Sequence, residues 1–387
     1  MKLLIIRLSA LGDVAMLVPV VRVLASQHSD LQITVLSQKF LAPLFEGIAE
    51  NVHFIGFDKK GEHKGFAGVQ KLYRQLKAEN FTHIADCHDV LRTKQLRLDF
   101  LLSTLLGRKV KIAHIDKHRE GKKALTAEAD KQLVQQPTSF ENYAETIDKV
   151  LGTNLLEVVT RMQNAEPKEG GRRESQCRMQ NDSPYDNIAQ PNSAFCILHS
   201  AFKVGFAPFA AHEGKIYPLW KSLEVVKLLL ARGAKVYLFG AGEKEMAVFK
   251  DWQTQCSSLT TIDEEDCFGD DAPELLIASD VLKAEGKKGF KAELELMSTL
   301  DCMISMDSGN MHLASIVGTR VVSIWGATHP LAGFLGWQQS PADCVQKDMP
   351  CRPCSIYGNK PCKLGNYPCL NDIKPEEIVR KVLSKNE

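Results

Sequence analysis

The chain has 387 residues, of which 44% are hydrophobic and 25% charged, and its formal net charge is +1. This length is too great for one ordinary hydrophobic core, so it predicts two domains. The composition is typical of a soluble globular α/β protein and, with its near-neutral charge, does not indicate a nucleic-acid partner.

The N-terminal segment MKLLIIRLSALGDVAMLVPVVRVLAS could pass for a signal peptide, because Lys2 precedes an apolar run. Arg7 and Asp13 interrupt that run, and no apolar stretch reaches the roughly 18 residues of a membrane span. We interpret the segment as a buried strand, Leu3–Leu8, followed by a helix from about Asp13 to Ser26. Eleven cysteines, many inside apolar runs, fit a reducing compartment. The chain is therefore expected to be cytoplasmic.

Short β-rich runs continue to alternate with helical segments along the chain. The predicted strands are Leu31–Leu36, Val52–Phe57, Thr82–Cys87, Lys109–Ile115, Lys203–Phe209, Ala234–Gly240, Asp301–Met306 and Arg320–Trp325. Near-continuous apolar strands that alternate with helices indicate parallel sheets covered on both faces, so the fold class is α/β with two doubly wound parallel-sheet domains.

The domain boundaries follow from composition. A polar stretch, 164–192, is the predicted linker or insertion, so the first domain spans 1–190 and the second 195–372, with a C-terminal helix at 373–387 that has Pro375 near its first turn. The acidic run Asp263–Glu274 is expected to be an exposed loop.

Charge is distributed unevenly between the two halves. Asp58–Lys123 contains 16 Lys and Arg against 8 Asp and Glu, whereas Glu243–Glu295 contains 6 against 14. A basic first half suggests an anionic partner for the first domain, although solvated helix faces explain the charge equally well.

In open parallel sheets, ligands bind beyond the carboxyl ends of the strands. After the first strand comes LSALGDVA, where Gly12 allows a tight turn or the close approach of a ligand, and Asp13 lies where the helix begins. Asp13 is either an N-cap or a carboxylate placed to remove a proton from an incoming hydroxyl.

Two later strand ends carry candidate donor-binding residues. In AAHEGKIYPLW, the small side chains of Ala210 and Ala211 let a ligand lie against the backbone, and Lys215 is a candidate phosphate cation. The next predicted strand ends in FGAGEKE, where Gly240 and Glu243 resemble a loop whose carboxylate binds ribose hydroxyls.

The stretch MDSGNMHLA joins an apolar strand to a helix. Ser308 and Gly309 at the helix start leave backbone N–H groups and the positive helix end facing outward, which makes an anion site. Asp307 would repel phosphate, so a sugar hydroxyl is its better partner. His312, one turn further, is either a core histidine or part of the site.

Several motifs together, GDV, KIYPLW, GAGE, DSGNMHLA and VSIWGATHP, resemble those of glycosyltransferase family 9, the lipopolysaccharide heptosyltransferases. The resemblance runs from about Leu3 to Leu370 and implies a GT-B architecture, with two Rossmann-like domains facing across a cleft. It implies an inverting enzyme that uses an ADP-activated heptose and needs no bound metal for the chemistry, with the acceptor in the first domain and the nucleotide-sugar in the second.

The resemblance also implies roles for residues at matching positions. Asp13 matches the base, and Asp307 matches the contact to the sugar. Lys215 and Glu243 match diphosphate and ribose contacts, with Glu245 as a rival to Glu243. Ser308, Gly309 and His312 match the diphosphate and nucleotide loop. At Ala210–Ala211, other members offer a threonine pair, so this chain lacks those hydroxyls.

The acceptor is expected to be a lipopolysaccharide core of the lipid A–Kdo type, bound near Gly12, with Arg92 and Lys64 as candidate contacts to its anionic groups. Either cation could instead be a plain surface residue. A lipid-anchored acceptor would bring the basic stretch Asp58–Lys123 to the surface of the inner membrane.

Other readings of the sequence remain. A dinucleotide oxidoreductase would need a G-x-G-x-x-G after the first strand, and LSALGDV has one glycine. A transferase that uses another nucleotide-sugar for a surface glycan, or a non-catalytic sugar-nucleotide-binding protein, fits the same residues.

Four cysteines near the C-terminus pose a separate question. CRPCSIYGNKPCKLGNYPC places Cys351, Cys354, Cys362 and Cys369 in a short Gly/Pro-rich run that could wrap one structural zinc ion. Reduced thiols or a disulfide are the alternatives.

Overall fold

The computed structural model of the protein describes residues 1–105, 107, 109–165, 202–257 and 273–384. These residues form two compact units. The first contains Met1–His118 and the described part of Pro137–Glu166, and the second contains Arg119–Gln136 and the described part of Pro167–Glu387. Among the described helices, none has the length and apolarity needed to cross a bilayer.

The strands, numbered along the chain, are β1 Lys2–Ile6, β2 Gln32–Gln38, β3 Val52–Phe57, β4 His83–Asp86, β5 Lys111–His114, β6 Lys203–Ala207, β7 Lys235–Leu238, β8 Glu274–Ile277, β9 Cys302–Met306, β10 Val321–Trp325 and β11 Cys344–Gln346. The helices are α1 Leu11–Gln27, α2 Gly65–Ala78, α3 Leu91–Leu105, α4 Arg119–Leu125, α5 Ser139–Leu151, α6 Leu155–Gln163, α7 Leu219–Ala231, α8 Glu243–Cys256, α9 Ala278–Ala284, α10 Phe290–Ser298, α11 Gly309–Ile316, α12 Pro368–Asn371 and α13 Pro375–Leu383.

The first unit is built on a parallel five-stranded sheet with the order β3-β2-β1-β4-β5. The central strand β1 buries four of its five residues, and α1 buries a long run of valine, leucine and alanine. The start of α5 carries a capping box, since Thr138 Oγ1 accepts the Glu141 N–H and Glu141 Oε2 accepts the Thr138 N–H.

The second unit has a parallel six-stranded sheet with the order β11-β10-β9-β6-β7-β8. Strands β9 and β10 are buried along their whole length, which explains their unbroken apolar sequences. Because β6, β9 and β10 are near neighbours, the loops that follow them emerge at the same edge of the sheet.

The predicted strands are found, most of them shorter at one or both ends, and β3 has the predicted bounds. Two strands were missed. Strand β8 begins at Glu274, so the predicted acidic loop is wrong at that residue, and its positions 263–272 lie outside the described residues. Strand β11 has three residues, too few for a periodic pattern. The predicted linker, 164–192, lies outside the described residues from 166 on.

The units differ from the predicted boundaries in two places. Residues 119–136 join the second unit, where Lys131 Nζ donates to the carbonyls of Cys351 and Pro353 at 2.6 and 3.0 Å. Helix α13 is part of the second core rather than a separate appendage. Its Ile378 and Val382 are buried in that core, and the Arg320 side chain donates to the carbonyls of Lys381 and Val382 in its last turn.

Candidate functional site

In the first unit, the carboxyl ends of β1 and β4 bring together an acidic, a basic and an imidazole side chain. Asp13 is the third residue of α1, and its Oδ2 accepts the Ala10 N–H at 3.1 Å. The same oxygen lies 2.5 Å from Nη2 of Arg7, which follows β1 directly, and 31% of the Asp13 side chain remains exposed. The N-cap residue of α1 is Ala10, so the prediction of Asp13 as N-cap is wrong. Asp13 instead stabilises the helix start from its third position by accepting the Ala10 N–H, and its carboxylate remains partly accessible.

Arg7 is held in place from three directions. Its Nη1 donates to the Cys87 carbonyl at 2.8 Å, and its guanidinium carbon lies 5.6 Å from the centre of the Tyr143 ring. The Tyr143 hydroxyl in turn donates to the backbone carbonyl of Asp13 at 3.1 Å. This buried frame fixes the position of the Asp13 carboxylate from both its side chain and its backbone.

His88 belongs to the same cluster. Its Nδ1 accepts the Leu8 N–H at 3.3 Å, which leaves the proton of the neutral ring on Nε2. Burial, together with the nearby Arg7, lowers the pKa of His88 to about 3. The ring is therefore neutral at physiological pH and can donate from Nε2, so it does not replace Asp13 as a base.

The predicted acceptor residues are spread over the carboxyl edge of this sheet. Gly12 is the second residue of α1 and does not have a positive φ, so the expected tight turn is wrong and only close approach remains. Arg92 lies in the first turn of α3, directly after β4. Lys64 is exposed before α2 and follows β3, which β2 separates from β1.

In the second unit, two residues predicted to contact different parts of a ligand contact each other. Lys215 Nζ, after β6, lies 2.8 Å from Asp307 Oδ2, after β9, and their side chains are 14% and 4% exposed. The geometry is that of a close ion pair rather than an aligned hydrogen bond. The pair neutralises Asp307, so the phosphate repulsion expected from that carboxylate is largely removed.

Helix α11 begins beside this pair. Ser308 is its N-cap residue with extended backbone, and no side chain caps the first-turn N–H groups. Ser308 Oγ instead lies 3.2 Å from Ser305 Oγ. Gly309 is the first helical residue, and His312 is buried one turn further in. The arrangement matches the predicted anion site at Ser308 and Gly309, and the nucleotide contact of His312 stays a prediction.

The loops after β6 and β10 pack against each other so closely that there is no room for a side chain at Gly214 or Gly326. The Ala327 N–H donates to the Gly214 carbonyl at 2.7 Å, and a Cβ on Gly326 would lie 2.6 Å from that carbonyl oxygen. Glycine at both positions lets the backbone segments touch, which anchors the loop that carries Lys215. Ala210 is partly buried against the core and Ala211 is exposed beside it.

The cysteine-rich segment supports these loops. Its buried Arg352 donates to the carbonyls of Gly326 and Thr328 at 2.5 and 2.9 Å. Among the described residues, no group of three His, Cys, Asp or Glu side chains could hold a metal ion, and the four cysteines are free. Cys351 is exposed whereas Cys369 lies in the core, where burial raises the pKa of its thiol to about 11. The zinc site therefore stays a prediction.

The loop after β7 separates the two rival glutamates. Gly242, with φ of 87°, is the N-cap residue of α8, and Glu243 is its exposed first residue. Glu245 turns back, and its Oε2 accepts the Ala241 N–H at 2.8 Å. Glu245 therefore shapes the loop, whereas Glu243 is available to a ligand.

Glu243→Gln is expected to weaken ADP binding on the order of tenfold, because a charged acceptor for ribose hydroxyls is lost. Glu245→Gln should bind ADP nearly as well as the wild type, since its amide oxygen can still accept the Ala241 N–H. Isothermal titration calorimetry with ADP measures both, and the opposite ranking would assign the ribose to Glu245.

Sequence reasoning missed four residues that build the two sites. Arg7 and His88 stand directly after apolar strand runs, so the rule that located Asp13 could have located them. Tyr143 and Arg352 carry no local signal, because their partners are distant in the chain.

Two parallel-sheet units, each with candidate ligand residues at the carboxyl ends of its strands, are typical of the GT-B fold. Residues 69–367 match the model of glycosyltransferase family 9 (heptosyltransferase). The chain belongs to this family.

Two curated relatives are lipooligosaccharide heptosyltransferase 2 proteins of Campylobacter jejuni subsp. jejuni. The serotype O:6 protein is 26% identical over 157 residues, which is 41% of this chain and 43% of the relative. The serotype O:2 protein is 28% identical over 163 residues, which is 42% of this chain and 44% of the relative. The match thus spans less than half the length of either relative.

Solved structures show the fold over the whole chain. The glycosyl transferase family 9 structure from Veillonella parvula has a TM-score of 0.64 at 18% identity, covering 99% of this chain and 97% of that one. The E. coli ADP-heptose lps heptosyltransferase II has a TM-score of 0.58 at 18% identity, covering 99% and 98%. The E. coli heptosyltransferase WaaC with ADP-2-deoxy-2-fluoro heptose has a TM-score of 0.61 at 16% identity, covering both chains fully (100%).

Proposed function

We propose that the protein transfers a heptose or a related sugar from an ADP-sugar to a lipopolysaccharide-core acceptor of the lipid A–Kdo type, with inversion at the anomeric carbon. The observation that carries the proposal is the partly exposed Asp13 carboxylate at the carboxyl end of β1, held by Arg7. Membership of family 9 supplies the reaction class.

Asp13 acts as the general base. It takes the proton of an acceptor hydroxyl while that oxygen attacks the anomeric carbon from the face opposite the diphosphate. The bond between the anomeric carbon and the diphosphate oxygen breaks, and ADP leaves with the bonding electrons. Neutral His88 orients the acceptor by donating from Nε2, and Arg92 and Lys64 attract its anionic groups.

The second unit binds the donor. The α11 start at Ser308–Gly309 and the Lys215 ammonium stabilise the negative charge that develops on the leaving diphosphate. Before the donor binds, Lys215 and Asp307 pair with each other, so neither side chain is left as an unpaired buried charge. When the donor binds, its diphosphate shares Lys215, and Asp307 becomes free to accept a hydrogen bond from a sugar hydroxyl. No metal takes part in this scheme.

A transferase that uses a different nucleotide-sugar is the second candidate. The observation that favours it is Ala210–Ala211, which offers the donor no side-chain hydroxyls. A non-catalytic sugar-nucleotide-binding protein would need the same donor residues but not Asp13.

Nucleotide-sugar profiling tests the proposal. We expect ADP-heptose to support transfer to a lipid A–Kdo acceptor. We also expect ADP but not NAD to raise the melting temperature, because a ligand at a concentration of 100 times its Kd stabilises a protein by about 2.7 kcal/mol. Transfer from a UDP-sugar instead of an ADP-sugar would favour the second candidate. ADP binding without any turnover would favour the binding protein, and stabilisation by NAD alone would refute both transferases.

Such an enzyme would work in the cytoplasm and would meet its lipid-anchored acceptor at the surface of the inner membrane.

A further inference from the structure

Helix α3 exposes five leucines along one side. Leu91, Leu98, Leu102 and Leu105 follow one another at helical spacing, Leu101 lies next to them, and all five are between 50% and 84% exposed. The opposite side of the helix, with Leu96 and Phe100, is buried against the sheet. Contact with water is unfavourable for apolar side chains, so the exposed leucines favour a partner that covers them.

Phe66 extends this surface. It is 72% exposed at the start of α2, and Gln95 of α3 donates from Nε2 to its backbone carbonyl at 3.4 Å. We call these six side chains, the five leucines of α3 and Phe66, the α3 apolar face. Single exposed apolar residues are ordinary, whereas a contiguous set marks an interaction surface.

The region of the chain that contains α3 is rich in positive charge, and Lys109 and Lys111 line the same surface hollow as Leu101. Residues 59–111 contain 12 Lys and Arg against 5 Asp and Glu. Three of the acidic residues are paired with cations of the same region: Asp86 and Asp89 both contact Arg97, at 3.2 and 2.7 Å, and Glu62 lies 2.9 Å from Lys71. The exposed lysines of this region are Lys59, Lys60, Lys64, Lys71, Lys77, Lys94, Lys109 and Lys111.

We propose that the α3 apolar face docks on a bilayer that carries anionic headgroups, with the leucines and Phe66 entering the headgroup region and the surrounding lysines contacting lipid phosphates. Exposed apolar side chains together with cationic side chains of the same region are what an anionic interface binds. A second copy of the chain fits less well, because a symmetric contact would bring the same lysines against each other.

The position of the face suits the proposed reaction. Helix α3 starts with Leu91 shortly after the carboxyl end of β4, at the same edge of the sheet as Asp13 and His88. Docking along α3 would therefore bring lipid-anchored sugars to the edge of the first unit that carries the base. In this respect the inference rests on the proposed function and names its membrane partner.

Vesicle co-sedimentation with the full chain tests the docking. We expect binding to vesicles of phosphatidylcholine with one quarter phosphatidylglycerol, little binding to pure phosphatidylcholine, and weakening by salt. Leu98→Gln with Leu102→Gln should weaken binding to the anionic vesicles by at least about tenfold, because two membrane-inserting side chains become polar. The matched control, Leu133→Gln with Val134→Gln, changes two equally exposed apolar residues of the second unit and should bind like the wild type.

Equal vesicle binding by the leucine pair variant and the wild type would overturn the proposal, as would no binding by the wild type. A concentration-dependent dimer in light scattering that the leucine pair variant abolishes would assign the face to a second copy and also overturn it. The vesicles contain no acceptor sugar, so the result is independent of turnover. Vesicle binding by a protein without transfer activity would support the docking face while refuting the proposed function. Transfer to a deacylated acceptor without vesicle binding would support the proposed function while refuting the docking face.

Discussion

Asp13→Asn is expected to lower kcat by roughly 10²–10⁴, the usual loss when a general base is removed, while ADP binding stays near that of the wild type. The asparagine side-chain oxygen can still accept the Ala10 N–H, so the start of α1 keeps its hydrogen bond. Arg7 keeps its bond to the Cys87 carbonyl and its contact with the Tyr143 ring. The substitution therefore removes the proton acceptor and leaves the contacts around it largely unchanged.

Three measurements on the same Asp13→Asn sample check this prediction: kcat from steady-state kinetics, ADP affinity from calorimetry, and the melting temperature. Asp30→Asn makes the same chemical change at an exposed position of the first unit and serves as the matched control. Unchanged kcat in Asp13→Asn would exclude it as the base. If the melting temperature drops strongly and ADP binding is also lost, Asp13 is chiefly a structural cap.

Lys215→Met is expected to lower both ADP affinity and kcat, each on the order of 10²-fold, because the leaving diphosphate loses its cation. It should also destabilise the protein, since removal of one partner of a buried ion pair leaves an uncompensated charge and costs about 3–5 kcal/mol. The methionine retains the volume of the lysine stem, so packing against Gly358 is preserved.

The double variant Lys215→Met with Asp307→Asn separates the two effects. It removes the stranded carboxylate, so the melting temperature should recover, whereas ADP affinity should stay low. Lys227→Met, which breaks a more exposed pair with Glu224, controls for loss of a lysine. Recovery of ADP affinity in the double variant would mean that Lys215 serves only to balance Asp307 and does not bind diphosphate.

The Lys215–Asp307 pair also changes how the proposed donor site would work. Considered one at a time, the lysine was a phosphate cation and the aspartate a carboxylate that repels phosphate. Paired at 2.8 Å, they present little net charge to the α11 start, so the helix N-terminus and the diphosphate can interact without that repulsion. In the proposed function, donor binding would redistribute an existing contact instead of taking two unpaired charges out of water.

The sequence by itself determined the local elements and the strand ends. Unbroken apolar runs such as β9 and β10 specify buried parallel strands, Thr138 with Glu141 specifies a helix start, and Pro375 specifies the first turn of α13. Asp13, Lys215, Asp307 and Ser308 were found because ligand residues of such sheets directly follow strands. These signals need only neighbours along the chain.

The tertiary structure alone decided which of those residues meet. The Tyr143 hydroxyl reaches the Asp13 carbonyl across 130 positions, and Arg7, Cys87 and His88 converge on the same place because β1 and β4 are adjacent. The cysteines show the limit of sequence spacing, because it does not say that Cys351 is exposed and Cys369 is buried. Contacts between distant segments depend on strand order and packing, and a local pattern of residue types contains neither.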